Sequence, residues 1–270
     1  MKKIIMLLLL SVIALAGCSD KARPKSDEKK EVTLKVATLI PPMTDILDIV
    51  KPLMKEEGIN LEIVKLSDNV QPNNALANKE VDANFFQHVP YMEQYNENSD
   101  ANLVPVKAIY HAVYGAYSKR YKNIDELPDG ASITMANDPT NIARSLHLLD
   151  KYGLIKLKDG LGINATEADI IENKHHYKFQ KVDLLMLARV LEDTDLGIMT
   201  PAYAAPLGLT PKKDALLTEG VESKYAITLI ARKDNADSKA IKVLADKMTG
   251  PEVKKFLEED YKDTALPAFQ

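Results

Sequence analysis

Between Val32 and Phe86 the spacing of apolar residues switches repeatedly between two and about 3.6, and this rhythm restricts the possible folds more than any other feature. Val32, Leu34 and Val36 alternate with Thr33, Lys35 and Ala37, which predicts a strand. After Pro41-Pro42, residues Ile46, Ile49, Val50, Leu53 and Met54 recur at helical spacing, and Gly58 supplies a stop. "INLEIVKL" predicts a second strand, "NNALANKE" a short helix, and "VDANFF" a third strand. Strands separated by helix-length crossovers form a parallel sheet with helices on both faces.

The rhythm returns further along. "ASITMA" predicts a strand and "NIARSLHLLDKYG" a helix closed by Gly153. "KHHYKFQKV" is strand-like, "LLMLARVLED" helical and "DLGIMT" a strand. "KYAITLIAR" predicts a further strand, and the chain closes in one or two helices from Lys239 to Tyr261. Two α/β sets, with a strand near residue 225 returning to the first, predict two lobes joined by crossing strands. The expected division is residues 32–118 with 226–270 in one lobe and 119–225 in the other. Ligands of such sheets bind at the carboxyl ends of strands, often between domains.

The amino terminus reads differently. Lys2 and Lys3 precede an apolar stretch from Ile4 to Ala16, shorter than the roughly 20 residues of a membrane span. Charge, apolar run and small residues together predict a secretory signal over residues 1–17. Leu15-Ala16-Gly17-Cys18 resembles the bacterial lipobox, in which cleavage precedes the cysteine and the cysteine is acylated. Cys18 is the only cysteine in 270 residues, so no internal disulfide is possible. Two or more acyl chains anchor a protein stably, whereas one holds it marginally. Ser19 to Glu31, "SDKARPKSDEKKE", is charged, contains Pro24 and predicts a flexible linker over 18–31. The expected location is the extracytoplasmic face of the cell membrane. A net charge of -4 with mixed signs gives no reason to expect a nucleic-acid partner.

"NFFQHVPYMEQY" gathers Phe85, Phe86, His88, Tyr91 and Tyr95 in a chain without tryptophan. Adjacent strand residues face opposite ways, so Phe85 is expected in the core. Phe86, with His88 and Tyr91 on one face of a following helix, is the candidate lining of an apolar pocket with polar tips. The alternative is that these rings are core. In "MANDPTNIARSL" a turn at Asp138-Pro139 opens a helix whose N–H groups suit a carboxylate or phosphate. Arg144 in its first turns adds a bidentate donor, the alternative being an ordinary surface arginine. The five histidines show no HExxH or other zinc spacing, and His175-His176 reads as a solvated loop. GxSxG, P-loop and GxGxxG motifs are absent. No enzyme, no metal and no cofactor is expected.

"VQPNNALANKEVDANFFQHVPYMEQYN", "LPDGASITMANDPTN" with Arg144, and "LKDGLGINATEADIIEN" resemble the NlpA family of methionine-binding lipoproteins, from about Val32 nearly to the end. The resemblance implies a two-lobed periplasmic-binding-protein (Venus flytrap) fold. It also implies delivery of an amino acid, usually methionine, to an ABC permease and its ATPase. Phe86, His88 and Tyr91 would then contact the ligand side chain, Arg144 its carboxylate, with Asn141 nearby. The chain departs from the family at Met43, where a histidine is usual, and at Thr200 and Ile227, where asparagines usually hold the ligand's amino and carboxylate groups. Met43, Tyr114, Thr200 and Ile227 are therefore expected to reshape the pocket. Three ligand readings stay open: methionine, a related molecule such as a short methionine-containing peptide, or an interaction lipoprotein that kept the scaffold.

Overall fold

A computed structural model describes residues 32–220 and 224–270. The signal segment, Cys18 and the linker to residue 31 lie outside the described residues. No helix among the described residues is long and apolar enough to cross a membrane.

The first sheet is built from β1 (Val32–Thr38), β2 (Ile59–Lys65), β3 (Ala83–His88) and β4 (Leu103–Ala112), with two later strands. The second contains β5 (Gly115–Tyr117), β6 (Ser132–Ala136), β9 (Lys178–Val182), β10 (Leu196–Met199) and β11 (Ala215–Thr218). Lys156–Leu157 (β7) and Ile170–Glu172 (β8) form a small antiparallel pair. The chain then returns to the first sheet as β12 (Ile227–Arg232) and β13 (Ala265–Pro267). Strand order is β13-β4-β12-β3-β1-β2 in the first sheet and β11-β5-β10-β6-β9 in the second.

β1 is parallel to β2 and β3, as the strand–helix rhythm requires, while β12 runs antiparallel between β3 and β4. The expected first lobe included residues up to 118, but β5 pairs with β10 and β11. The chain therefore crosses between sheets at Val113 and Tyr114, and returns between Thr218 and Ile227. Both sheets carry helices on both faces. On the first, α1 (Met43–Glu56), α8 (Lys239–Met248) and α9 (Pro251–Asp260) bury Ile46, Leu47, Val50, Ile241, Leu244 and Leu257 against Val36 and Phe85. The opposite face packs Leu76 of α2 (Gln71–Ala77) and Met92 of α3 (Val89–Ser99) on Ala37 and Ile230. Strands covered on both sides lose the simple polar alternation of a half-exposed sheet. On the second sheet, α4 (Pro139–Lys151) buries Ala143, Leu146 and Leu149 against Ile133 and Ile198.

Two further expectations change. "LLMLARVLED" is not one helix but a 3-10 turn at Leu184–Met186 followed by the single turn α5 (Leu187–Val190). Two further single turns, α6 (Pro201–Ala204) and α7 (Pro211–Asp214), follow β10. Secondly, His88 does not lie on a helix face with Tyr91. It is the last residue of β3 and the N-cap of α3, with its ring Nδ1 accepting the Tyr91 N–H at 3.2 Å. The extended backbone of a cap and the following Val89-Pro90 stop the helix from starting earlier.

Candidate functional site

The carboxyl ends of β1, β3, β6 and β10 all lead to one cavity of about 340 Å³. β1 delivers Leu39 and, past Pro41-Pro42, Met43 at the start of α1. β3 delivers Phe86, Gln87 and His88, and α3 adds Tyr91. β6 leads into α4, which brings Asn141 and Arg144, and β10 ends at Thr200. Ile227 opens β12 and is paired in register with His88 on one side and Tyr110 on the other. Sheet carboxyl ends meeting at a crevice are where an open α/β fold places its ligand. The rest of the wall is mainly apolar and includes Tyr110, Tyr203 and Tyr261.

Polar groups of this wall are oriented by their neighbours. Asp138 caps α4 by accepting the Asn141 N–H at 3.0 Å, and its other oxygen accepts the Asn141 side-chain amide at 2.8 Å. That fixes the Asn141 carbonyl toward His88, whose Nε2 lies 3.5 Å away. Since Nδ1 is an acceptor from Tyr91, the proton of the neutral ring sits on Nε2 and points to Asn141. Burial, reinforced by the nearby Arg144 charge, lowers the His88 pKa to about 3, so the ring is neutral. Gln87 is fixed by a buried amide cluster: Asn73 donates to its carbonyl at 2.9 Å, and its own amide donates to Asn84 at 2.9 Å. The Phe86 and Tyr91 rings meet edge to face with centroids 6.0 Å apart, and the Tyr91 hydroxyl donates to the Asn69 carbonyl at 3.0 Å.

Arg144 is the dominant charge. It is only 1 % exposed, and its guanidinium carbon lies 4.2 Å from the Tyr114 ring centre and 4.6 Å from that of Tyr225. Two aromatic faces around a desolvated guanidinium are favourable partners. Its Nε donates to Glu219 Oε2 at 2.9 Å, and Nη2 binds the same oxygen and the Ala112 carbonyl, the latter at 3.3 Å. Nη1 is buried with no hydrogen-bond partner among the described residues. The Nε–Nη2 edge of this bidentate donor is thus occupied by Glu219, and Nη1, with its two N–H bonds, is left over among the described residues.

Of the nine candidate residues, Met43, Phe86, His88, Tyr91, Asn141, Arg144, Thr200 and Ile227 line the cavity. Tyr114 does not. It is fully buried behind Arg144, with its hydroxyl 2.8 Å from Ser145 Oγ. Thr200 precedes the short helix α6 but makes no side-chain cap bond to it. Glu219, Tyr110, Tyr203 and Tyr261 carry no local motif, and only long-range folding brings them to the site. No carboxylate side chain lines the cavity among the described residues, and no cluster of three or more metal-ligating side chains occurs among them.

The model of the NlpA lipoprotein family matches residues 34–269. The D-methionine-binding lipoprotein MetQ of Salmonella typhimurium is 37% identical over 91% of this chain and 89% of its own length. Among solved structures, a nutrient binding protein from Burkholderia cenocepacia bound to methionine has a TM-score of 0.84 and 37% identity, covering 87% of this chain and 100% of that one. An ABC transporter periplasmic substrate-binding protein from Coxiella burnetii has a TM-score of 0.83, with the same identity and coverage.

Proposed function

The chain belongs to the NlpA lipoprotein family, and from that premise we propose that it binds methionine or a methionine-like amino acid and delivers it to an ABC importer. The observation that carries this reading is the buried Nη1 of Arg144, without a partner among the described residues, in an otherwise mainly apolar cavity. A buried donor without a partner costs free energy that a ligand carboxylate recovers. Around it Asn141 orients the acid end. Met43, Phe86, His88 and Tyr91 form the wall for an apolar side chain, Thr200 and Ile227 flank the amino end, and Tyr114 supports Arg144 from behind. The names of the relatives support both the ligand class and the transport role. Among the described residues the cavity lining holds no nucleophile–base pair, which favours binding over catalysis. Two-lobed architecture suits a carrier: a ligand between two sheets can draw them together and present one closed surface to a permease and its ATPase.

The anchor belongs to the same reading: acylation at Cys18 holds the protein at the extracytoplasmic face, with residues 19–31 as spacer. A labelled palmitate analogue should enter the wild-type chain and not Cys18→Ala; label retained by the variant would remove the anchor from the proposal. Ligand binding is tested by calorimetry on the full chain in detergent. Arg144→Ala should lose about 2–5 kcal/mol of L-methionine affinity, the usual cost of truncating one partner of a desolvated charge pair. Unchanged affinity would assign Arg144 to the fold alone and defeat the reading.

A further inference from the structure

We propose that Glu219 is an internal counter-carboxylate: by neutralising Arg144 through its Nε–Nη2 edge, it keeps the grip on a ligand carboxylate loose enough for release. This deepens the substrate-binding reading above, as regulation of the same site, and rests on it. Glu219 follows β11 at the start of the return crossing and lies outside the cavity lining. Its own N–H donates to the Tyr114 carbonyl at 2.8 Å, which bonds the two crossing segments together and fixes the backbone that carries the carboxylate. Oε2 then accepts from Arg144 Nε at 2.9 Å and from Nη2. The remaining partners of the guanidinium also come from the crossings: the Ala112 carbonyl and the Tyr114 ring from the outward one, the Tyr225 ring from the return. Arg144 is therefore held, and its charge matched, with no ligand present.

That charge balance decides how tightly a ligand is held. A buried cation without a counter-charge is costly, and an anion that supplied the missing charge would recover the whole cost. The Arg144 side chain is 1% exposed and that of Glu219 18%, so the pair is screened only in part by water. His111, which senses both charges, has its pKa lowered chiefly by burial and adds no charge at pH 7. A ligand carboxylate at Nη1 is thus the second anion on one cation. It gains the hydrogen bonds that Nη1 offers, but it meets an arginine already neutralised and a like charge across the guanidinium. A protein that hands its ligand on needs such a limit on affinity. An ion pair that served the fold alone has the opposite consequence: its removal would weaken ligand binding or leave it unchanged.

The test is calorimetry on the full chain in detergent after exhaustive dialysis, with wild type and Glu219→Gln titrated with L-methionine. The glutamine keeps an oxygen to accept from Nε and Nη2 and removes the charge. Glu219→Gln should bind L-methionine at least about tenfold tighter, since close charge pairs couple by that much or more. Its thermal midpoint without ligand should fall, and the rise on saturation should exceed that of wild type. L-methioninamide has no carboxylate and should bind the variant no more tightly than wild type. Glu219→Ser, which leaves room for water, supplies the same readouts where Glu219→Gln does not fold. Unchanged or weaker L-methionine binding by the variant overturns the inference and leaves the transport reading standing. An equal gain for the amide overturns the role given to the two carboxylates. Failure of the wild-type chain to bind L-methionine overturns both readings.

Discussion

His88 shows how one residue can serve fold and site together. Its Nδ1 lone pair caps α3 through the Tyr91 N–H, and its Nε2–H faces Asn141 across the cavity. The capping task needs the neutral ring, because a protonated Nδ1 could not accept. Burial and Arg144 enforce that state by lowering the pKa from 6.5 to about 3. The folded protein therefore refuses a proton that the unfolded chain takes up below about pH 6.5. Stability from this group is complete above that pH and falls as pH drops toward about 3, with a slope of up to about 1.4 kcal/mol per pH unit. His111 titrates in the same sense, lowered chiefly by burial, so the informative quantity is a difference. Urea unfolding between pH 7 and 4 should fall more steeply for wild type than for His88→Gln. Parallel curves would mean that the ring is already charged in the folded protein. Arg144 carries a related lesson. Its importance was visible from its place after Asn-Asp-Pro, but its orientation was not, since Glu219 lies 75 positions away in the chain and takes the Nε–Nη2 edge.

Elements with their own periodicity were legible before any coordinates. β1, α1, β2, α2 and β3 fall where Val32, Ile46, Leu61, Leu76 and Ala83 repeat at strand or helix spacing, and Gly58 ends its segment with a φ of 76°. α4 likewise begins at the Asp138-Pro139 signal, because Asp138 accepts the N–H of Asn141 and proline suits the first helical position. β4 has no such local signature, although it is ten residues long and supplies Tyr110 and Ala112 to the site. Pro105 reads as a strand breaker. It is accommodated because the β4–β12 pairing shifts register between Leu229 and Ile230, beside Pro105. That irregularity depends on a strand over 100 residues away, so no local pattern encodes it. β5, β11 and β13 are three or four residues each, too short for periodicity, and are fixed by the strands they pair with. Within the site, Phe86, His88 and Arg144, at the end of β3 and in the first turns of α4, are legible from local pattern, whereas Asn141 and Thr200 are reached only through the family resemblance. Tyr203 and Tyr261 stand on a single turn and at a helix end, where nothing local distinguishes a cavity wall from a surface.

At the scale of the whole molecule, the cavity is enclosed by contacts that are individually weak. His88 and Asn141 bridge the two sides at 3.5 Å, near the limit for a hydrogen bond, and Arg144 reaches the Ala112 carbonyl at 3.3 Å. Lys212 of α7 meets Asp263, beyond α9, at 3.3 Å, but the lysine side chain is 69% exposed and such pairs contribute about 0–1 kcal/mol. Contacts of this strength leave the balance between an open and a closed cleft to the ligand, which touches both sides at once. A ligand that binds only the closed form stabilises it by about 2.7 kcal/mol at a hundredfold excess over its Kd. The full chain in detergent should therefore contract when saturated, read as a smaller radius of gyration in small-angle X-ray scattering with the detergent contrast-matched or subtracted. Arg144→Ala, which removes the donor on the second-sheet side, should show no contraction at the same ligand concentration. Asp263→Asn should still contract, because it removes only an exposed ion pair. A radius unchanged by ligand in the wild-type chain would mean that the two sheets are held together without it, and that ligand entry requires motion of the cavity wall rather than of the lobes.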